Sequence, residues 1–190
     1  MPETLLQFHA QALRLFGERL RAVEDGQWDA PTPCTEWDVR ALANHVVGEQ
    51  LWIPPLVTEG RTVEELGDAF SGDVLGEDPL AAWEAASAAA HAAFAAPGAL
   101  ERTVRLSYGP ALAMAYCSEL TADCVVHTWD LSRGIGADER LPDNLVEFSI
   151  KEVMPYADGL AASGMYAEPL EVPAGANAQT RLLALLGRKG

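Results

Sequence analysis

Two stretches of this chain carry metal-binding residue types at helical spacing. In Glu119-Leu120-Thr121-Ala122-Asp123-Cys124-Val125-Val126-His127-Thr128-Trp129-Asp130, a carboxylate (Asp123) and an imidazole (His127) stand four residues apart. On a helix such a pair projects from one face, one turn above the other. A second histidine, His45, stands in Asn44-His45-Val46-Val47-Gly48-Glu49, a separate segment with helical character. Two histidines and one carboxylate suffice to hold a divalent metal with one coordination position open, and that position is where chemistry happens. His45, Asp123 and His127 are therefore the expected metal ligands. Glu49 and Asp130 are candidates to orient a ligand histidine or to move a proton. Trp52 and Trp129, close by in sequence, are candidates to line a pocket.

At 100° per residue, Glu119, Asp123, His127 and Asp130 fall within a stripe of about 80°, and Tyr116 lies in the same sector. The rest of that segment is nearly uncharged, with Leu120, Val125, Val126, Trp129 and Leu131. A buried helix with one solvated edge also accounts for this pattern. Two features favour a site: the stripe contains a histidine, and the other segment carries a matching stripe of His45, Glu49 and Trp52. Helix bundles build metal sites from side chains on facing helices in this way. His9, beside Phe8, reads as a surface or boundary residue, and His91 as a residue on an alanine-rich helix face. Cys124 points about 100° away from Asp123 and reads as a small core residue.

The elements that must position these residues follow from periodicity and punctuation. An amphipathic helix is expected over 4–24, with Leu5, Phe8, Ala12, Leu15, Phe16 and Leu20 on one stripe. Thr35 reads as the cap of a second helix over 36–52, with Asp38 completing a capping box and Pro54-Pro55 as the stop. Asp78 and Pro79 open a third helix that runs to Ala96. The stretch 101–107 alternates and reads as a short strand or extended chain. A fourth helix starts after Gly109-Pro110 and runs to Arg133, ending at Gly134; a fifth spans 143–162. The segment 168–173 is extended, with room for Leu170 to Val172 to join a small sheet, and 178–186 forms a last short helix. The expected fold is all-α in the main: a four-helix bundle with extra short helices and at most a small β element.

Composition bounds the rest. At 190 residues the chain is expected to be one domain, 1–190, and at 49% hydrophobic residues it can bury a core. A net charge of −15 repels phosphate backbones and anionic headgroups, which argues against nucleic-acid and membrane partners. Three cysteines without regular spacing are no disulfide framework, and no signal-peptide pattern opens the chain, so a cytoplasmic protein with reduced thiols is expected. The small residues of the third helix offer a face for a homodimer.

The run Pro33-Cys34-Thr35-Glu36-Trp37-Asp38-Val39-Arg40-Ala41-Leu42-Ala43-Asn44-His45, together with Asp123-Cys124-Val125-Val126-His127-Thr128-Trp129-Asp130-Leu131-Ser132-Arg133-Gly134, resembles the DinB-like superfamily. It resembles more closely the actinobacterial branch related to the N-terminal domain of mycothiol-dependent maleylpyruvate isomerase. The closing Arg181-Leu182-Leu183-Ala184-Leu185-Leu186-Gly187-Arg188 is also similar to that branch. The resemblance implies a four-helix bundle with a divalent metal at one end, zinc by preference and nickel or another ion otherwise. It implies one ligand from the second helix, His45, and two from a later helix, Asp123 and His127. It further implies thiol chemistry: an S-transfer or isomerisation of a small electrophile that uses a low-molecular-weight thiol such as mycothiol. The isomerase has Glu where this chain has Asp123, and it has a second, C-terminal domain that helps bind the thiol; maleylpyruvate as substrate does not carry over. A metal-dependent hydrolase, built on the same ligands, and a non-catalytic bundle that binds a metal or small molecule are the alternatives.

Overall fold

The computed structural model describes residues 4–156, 159, 167–172 and 174–190. The protein is mainly helical. Helix α1 (Leu5–Arg21) starts at a capping box: Thr4 Oγ1 accepts from the Gln7 amide, and Gln7 Oε1 accepts from the Thr4 amide. It buries Ala12, Leu13, Phe16 and Leu20 as its periodicity requires. Gly17 permits the close approach of helix α4 (Pro79–Ala95), because a Cβ there would stand 2.7 Å from Trp83 Nε1.

Helix α2 (Val39–Val57) departs from the expected 36–52 at both ends. Its cap is Asp38, whose carboxylate accepts from the Ala41 amide at 2.8 Å, and not Thr35. Pro54 and Pro55 lie inside the helix, which runs on to Val57. An interior proline costs roughly 3 kcal/mol in the helix alone. Here the turn they occupy buries Ile53, Leu56 and Val57, at roughly 1.5–3 kcal/mol each, and Arg102 donates to the otherwise open Val57 carbonyl at 2.9 Å. Burial that local pattern does not reveal thus outweighs the breaker. A single turn, α3 (Val63–Leu66), follows.

Strand β1 (Thr103–Leu106) pairs antiparallel with β2 (Gly109–Leu112) in a two-stranded sheet. The partner is thus the stretch before the next helix, while the segment near Leu170 packs on the last helix instead, its amide donating to the Ala184 carbonyl. Helix α5 (Ala113–Ile135) passes through Gly134 and ends at Gly136, which takes the left-handed conformation. Gly134 has a different purpose: a Cβ there would meet Val39, Thr32 and the Pro31 carbonyl at 3.2–3.4 Å, so it lets the loop before α2 lie against α5. Helix α6 (Asp143–Val153) gives way to a 3-10 turn over Met154–Tyr156; most of the remainder of the helix expected over 143–162 lies outside the described residues. Helix α7 (Ala178–Leu185) closes the chain.

Helix α1 packs on α5 and α4, and α2 packs on the same two, so α1, α5, α2 and α4 form a ring of four around the core. Helix α6 packs on α5 outside the ring, and α7 packs on α6. No helix among the described residues is long and apolar enough to cross a membrane. His9 is fully buried, against expectation, because its helix turns it inward onto α4: its Nδ1 lies 3.2 Å from His91 Nδ1, and its ring meets Phe94 edge-on.

Candidate metal centre

Helices α2 and α5 pack side by side, and their polar stripes meet. His45 Nε2 lies 3.7 Å from Asp123 Oδ2, and His127 Nε2 lies 3.3 Å from Asp123 Oδ1. One ligand atom from each of the three residues lies within 4.8 Å of the others. Donors that share one ion at about 2.0–2.2 Å in tetrahedral geometry stand about 3.3–3.6 Å apart. The spacing therefore fits a common divalent ion, and the donor types, two imidazoles and a carboxylate, are compatible with zinc and its neighbours. His127 is 4% exposed, whereas His45 and Asp123 keep 27% and 20% of their side chains open, so the triad opens to solvent on one side.

The opposite side of His127 is closed. Its Nδ1 lies 3.0 Å from Asp130 Oδ2, and Asp130 is fully buried. Arg188, from the segment after α7, grips Asp130 with a fork: Nε donates to Oδ1 at 2.8 Å and Nη2 to Oδ2 at 2.7 Å. The Cys34 thiol donates to Asp130 Oδ2 at 3.3 Å. Trp37 lays its ring on His45 with centroids 4.6 Å apart, and lies 5.8 Å from His127.

The family model described as mycothiol maleylpyruvate isomerase N-terminal domain matches residues 9–132. The chain belongs to this family. Two uncharacterized proteins of Mycobacterium tuberculosis, one from strain CDC 1551 / Oshkosh and one from strain H37Rv, are each 32% identical over 144 residues, covering 74% of this chain and 72% of their own length. No solved structure matches. The matched span runs from α1 to nearly the end of α5 and so contains His45, Asp123 and His127. Arg188 lies beyond it, although its fork holds Asp130 inside it.

The electrostatics follow from this packing. Burial alone would lower the pKa of His127, but Asp123 on one nitrogen and Asp130 on the other drive it well above the usual imidazole value. Burial likewise works against Asp123, and His127 and His45 overcome it, holding the carboxyl well below the usual range. Burial would raise Asp130, and His127 and Arg188 pull it down. Glu49 behaves in the opposite sense. Burial, with the Asp123 charge added, raises its pKa against the pull of His45 and His127. Glu49, one turn along α2 from His45, is thus drawn toward its protonated form.

Cys34, His127 and Asp130 also stand within metal-ligand reach of one another. Arg188 sits among them, however, with Nη2 3.3 Å from Cys34 Sγ and 2.7 Å from Asp130 Oδ2. A guanidinium already supplies the positive charge there, so this cluster is hydrogen-bonded support for His127. Of the two expected pocket tryptophans, Trp52 is half-buried and packs edge-on against Phe70. Trp129 is buried under the Arg133 guanidinium and lines a separate cleft of about 410 Å³ with Pro31 and Arg188. The aromatic ring against the histidines is instead Trp37. The one local signal for it is that it directly precedes the true cap, Asp38, which fixes it at the start of the His45 helix. Cys34 and Arg188 carry no comparable signal.

Proposed function

We propose that His45, Asp123 and His127 hold a divalent metal, zinc first and nickel or another ion otherwise. We propose further that the site binds a low-molecular-weight thiol of the mycothiol class and transfers it to a small electrophile, or uses it to isomerise one. One observation carries this reading: three donors of metal-ligating type converge at the spacing of a shared ion in a member of this family, with His127 braced from behind by Asp130. A dication bound there would convert a thiol, whose ordinary pKa is about 8.5, to its thiolate at neutral pH.

The chain's own residues would do the rest. Asp130 would hold the proton on Nδ1 of His127, so that a metal taking Nε2 displaces only the proton shared with Asp123. Arg188 holds Asp130 in that orientation. Trp37 covers one face of His45 and keeps water from it. Glu49, inclined to take up a proton, would receive the one released by the thiol and return it to the product. Asp123 is a methylene shorter than glutamate, so α5 would supply a shorter reach to an ion held there.

The same Glu49 also supports a second reading, metal-assisted hydrolysis, in which it would take a proton from an attacking water. Metal analysis of protein purified without an affinity tag tests the shared premise. About one equivalent of metal, lost in His127→Ala, is the expected result; a metal-free, metal-indifferent protein refutes it. Turnover of an electrophile that rises with added thiol favours transfer, and thiol-independent turnover favours hydrolysis.

A further inference from the structure

The cleft of about 410 Å³ is separate from the triad, since none of His45, Asp123 and His127 lines it. Arg188 connects the two: it borders the cleft, and it grips Asp130, which stands against Nδ1 of His127. The volume falls in the range of small-molecule clefts, about 300–1,000 Å³. Its walls include the apolar Pro31, Pro33 and Trp129 and the cationic Arg133, Arg188 and Lys189, with no acidic residue among them. The chain has 28 Asp and Glu against 13 Lys and Arg, so a cavity with three cations and no carboxylate in its wall runs against the composition. The carboxylates that pair with the two arginines stand outside the wall: Asp130 holds Arg188, and Glu139 holds Arg133 at 2.9 and 2.6 Å. A guanidinium has five N–H groups. Glu139 and the Lys189 carbonyl accept three of Arg133's, which leaves two without an acceptor among the described residues. The Lys189 ammonium has no acidic partner among them either. Trp129 is 1% exposed, and its indole Nε1 is a buried donor without an acceptor among the described residues. Buried donors of this kind are uncommon, and this one belongs to a residue of the cleft wall.

We infer that this cleft is a binding site for a small organic monocarboxylate, distinct from the candidate metal centre and independent of whether the triad holds a metal. The Lys189 ammonium and the two remaining N–H groups of Arg133 receive the carboxylate, as charge-assisted donors do. Pro31, Pro33 and Trp129 take the apolar part of the ligand. Asp130 and Glu139 already offset the two arginines, so the surplus in the wall is the single charge of Lys189. That surplus matches a carboxylate and not a phosphate dianion.

Benzoate is the probe, titrated into the isotope-labelled full chain purified without an affinity tag. Binding is read by NMR at the indole N–H of Trp129 and the backbone amides of Arg133 and Lys189. Benzoate should shift these resonances saturably at millimolar concentration, whereas benzamide, its neutral counterpart, and benzylammonium, a cationic one, should leave them nearly unmoved. The Lys189 side chain is exposed, so its replacement keeps the fold. Lys189→Gln should weaken benzoate about threefold and Lys189→Glu about tenfold, while His45→Ala binds it as the parent does. The absence of a saturable shift overturns the site, and so do equal affinities for benzoate and benzamide. Benzoate binding that is lost in His45→Ala and unchanged in both Lys189 variants belongs to the metal centre and overturns it as well. Inorganic phosphate that binds more tightly than benzoate overturns the monocarboxylate assignment.

Discussion

Arg188→Ala tests whether the chain's end is part of the candidate centre. Asp130 is fully buried, and its carboxylate accepts from Arg188 at 2.7 and 2.8 Å, from His127 at 3.0 Å and from Cys34 at 3.3 Å. Removing one partner of a buried ion pair typically costs about 3–5 kcal/mol, because the other charge is left uncompensated. His127 and Cys34 remain to solvate Asp130 in part, so the lower end, about 3 kcal/mol, is expected in urea denaturation of the metal-free chain. Arg188→Lys keeps the charge but loses the planar fork and should fall between the two. A freed Asp130 no longer fixes the His127 ring, so metal affinity should drop about 10–100-fold, as it does when a partner behind a ligand histidine is lost. Competition against a metallochromic indicator measures that drop. A double-mutant cycle with Asp130→Asn isolates the pair, with a coupling energy of about 2 kcal/mol expected. A coupling below about 0.5 kcal/mol, with metal affinity unchanged in Arg188→Ala, would show that the contact is incidental and refute the reasoning.

Further outcomes follow from single residues. His127→Ala should lose most bound metal and retain most helical signal, because it removes one donor of three and leaves the apolar core intact; elemental analysis and circular dichroism read the two separately. His9 is buried, and burial with the neighbouring His91 lowers its pKa from 6.5 to about 4. The unfolded chain therefore takes up this proton first, and the stability contribution is complete above pH 6.5 and is lost as pH falls toward 4, by about 3 kcal/mol at most. His9→Leu should flatten that part of the stability–pH curve relative to the parent, and parallel curves would contradict the assignment. Gly17→Ala places a methyl about 2.7 Å from Trp83 Nε1 and should cost about 1–3 kcal/mol in thermal or urea unfolding. Association through the alanine-rich α4 is tested by light scattering, where a mass independent of concentration at one chain's value removes the homodimer.

The local signals in the chain were reliable wherever the physics was local. The Asp78 cap, Pro79 at the first position of α4 and the Thr4 start of α1 appear as read. The juxtaposition of Asp123 with His127 needs only helical periodicity, and placing His45 beside them needs only that two stripes face each other in a bundle. The readings that changed share one cause. Pro54-Pro55 reads as a stop because a proline's cost is local, while the burial of Leu56 and Val57 that offsets it is not. Gly134 reads as a helix end, whereas its glycine is required by a loop some hundred residues earlier in the chain. His9 reads as a boundary residue because its partner, His91, stands 82 positions away.

From the amino-acid sequence alone follow the helical class, the family resemblance and the three candidate donors: Asp123 and His127 from spacing within one helix, His45 from a matching stripe on another, and the resemblance from two separate segments. Only the tertiary structure decides what stands behind and beside those donors. Asp130 and Arg188 are 58 residues apart, and Cys34 and Arg188 are 154 apart. No periodicity links them; they meet because the bundle folds the end of the chain back onto α5 and lays the loop before α2 against it. Whether a buried carboxylate is a liability or a brace depends on that meeting, since its charge is tolerable in the interior only when a guanidinium arrives to pair with it.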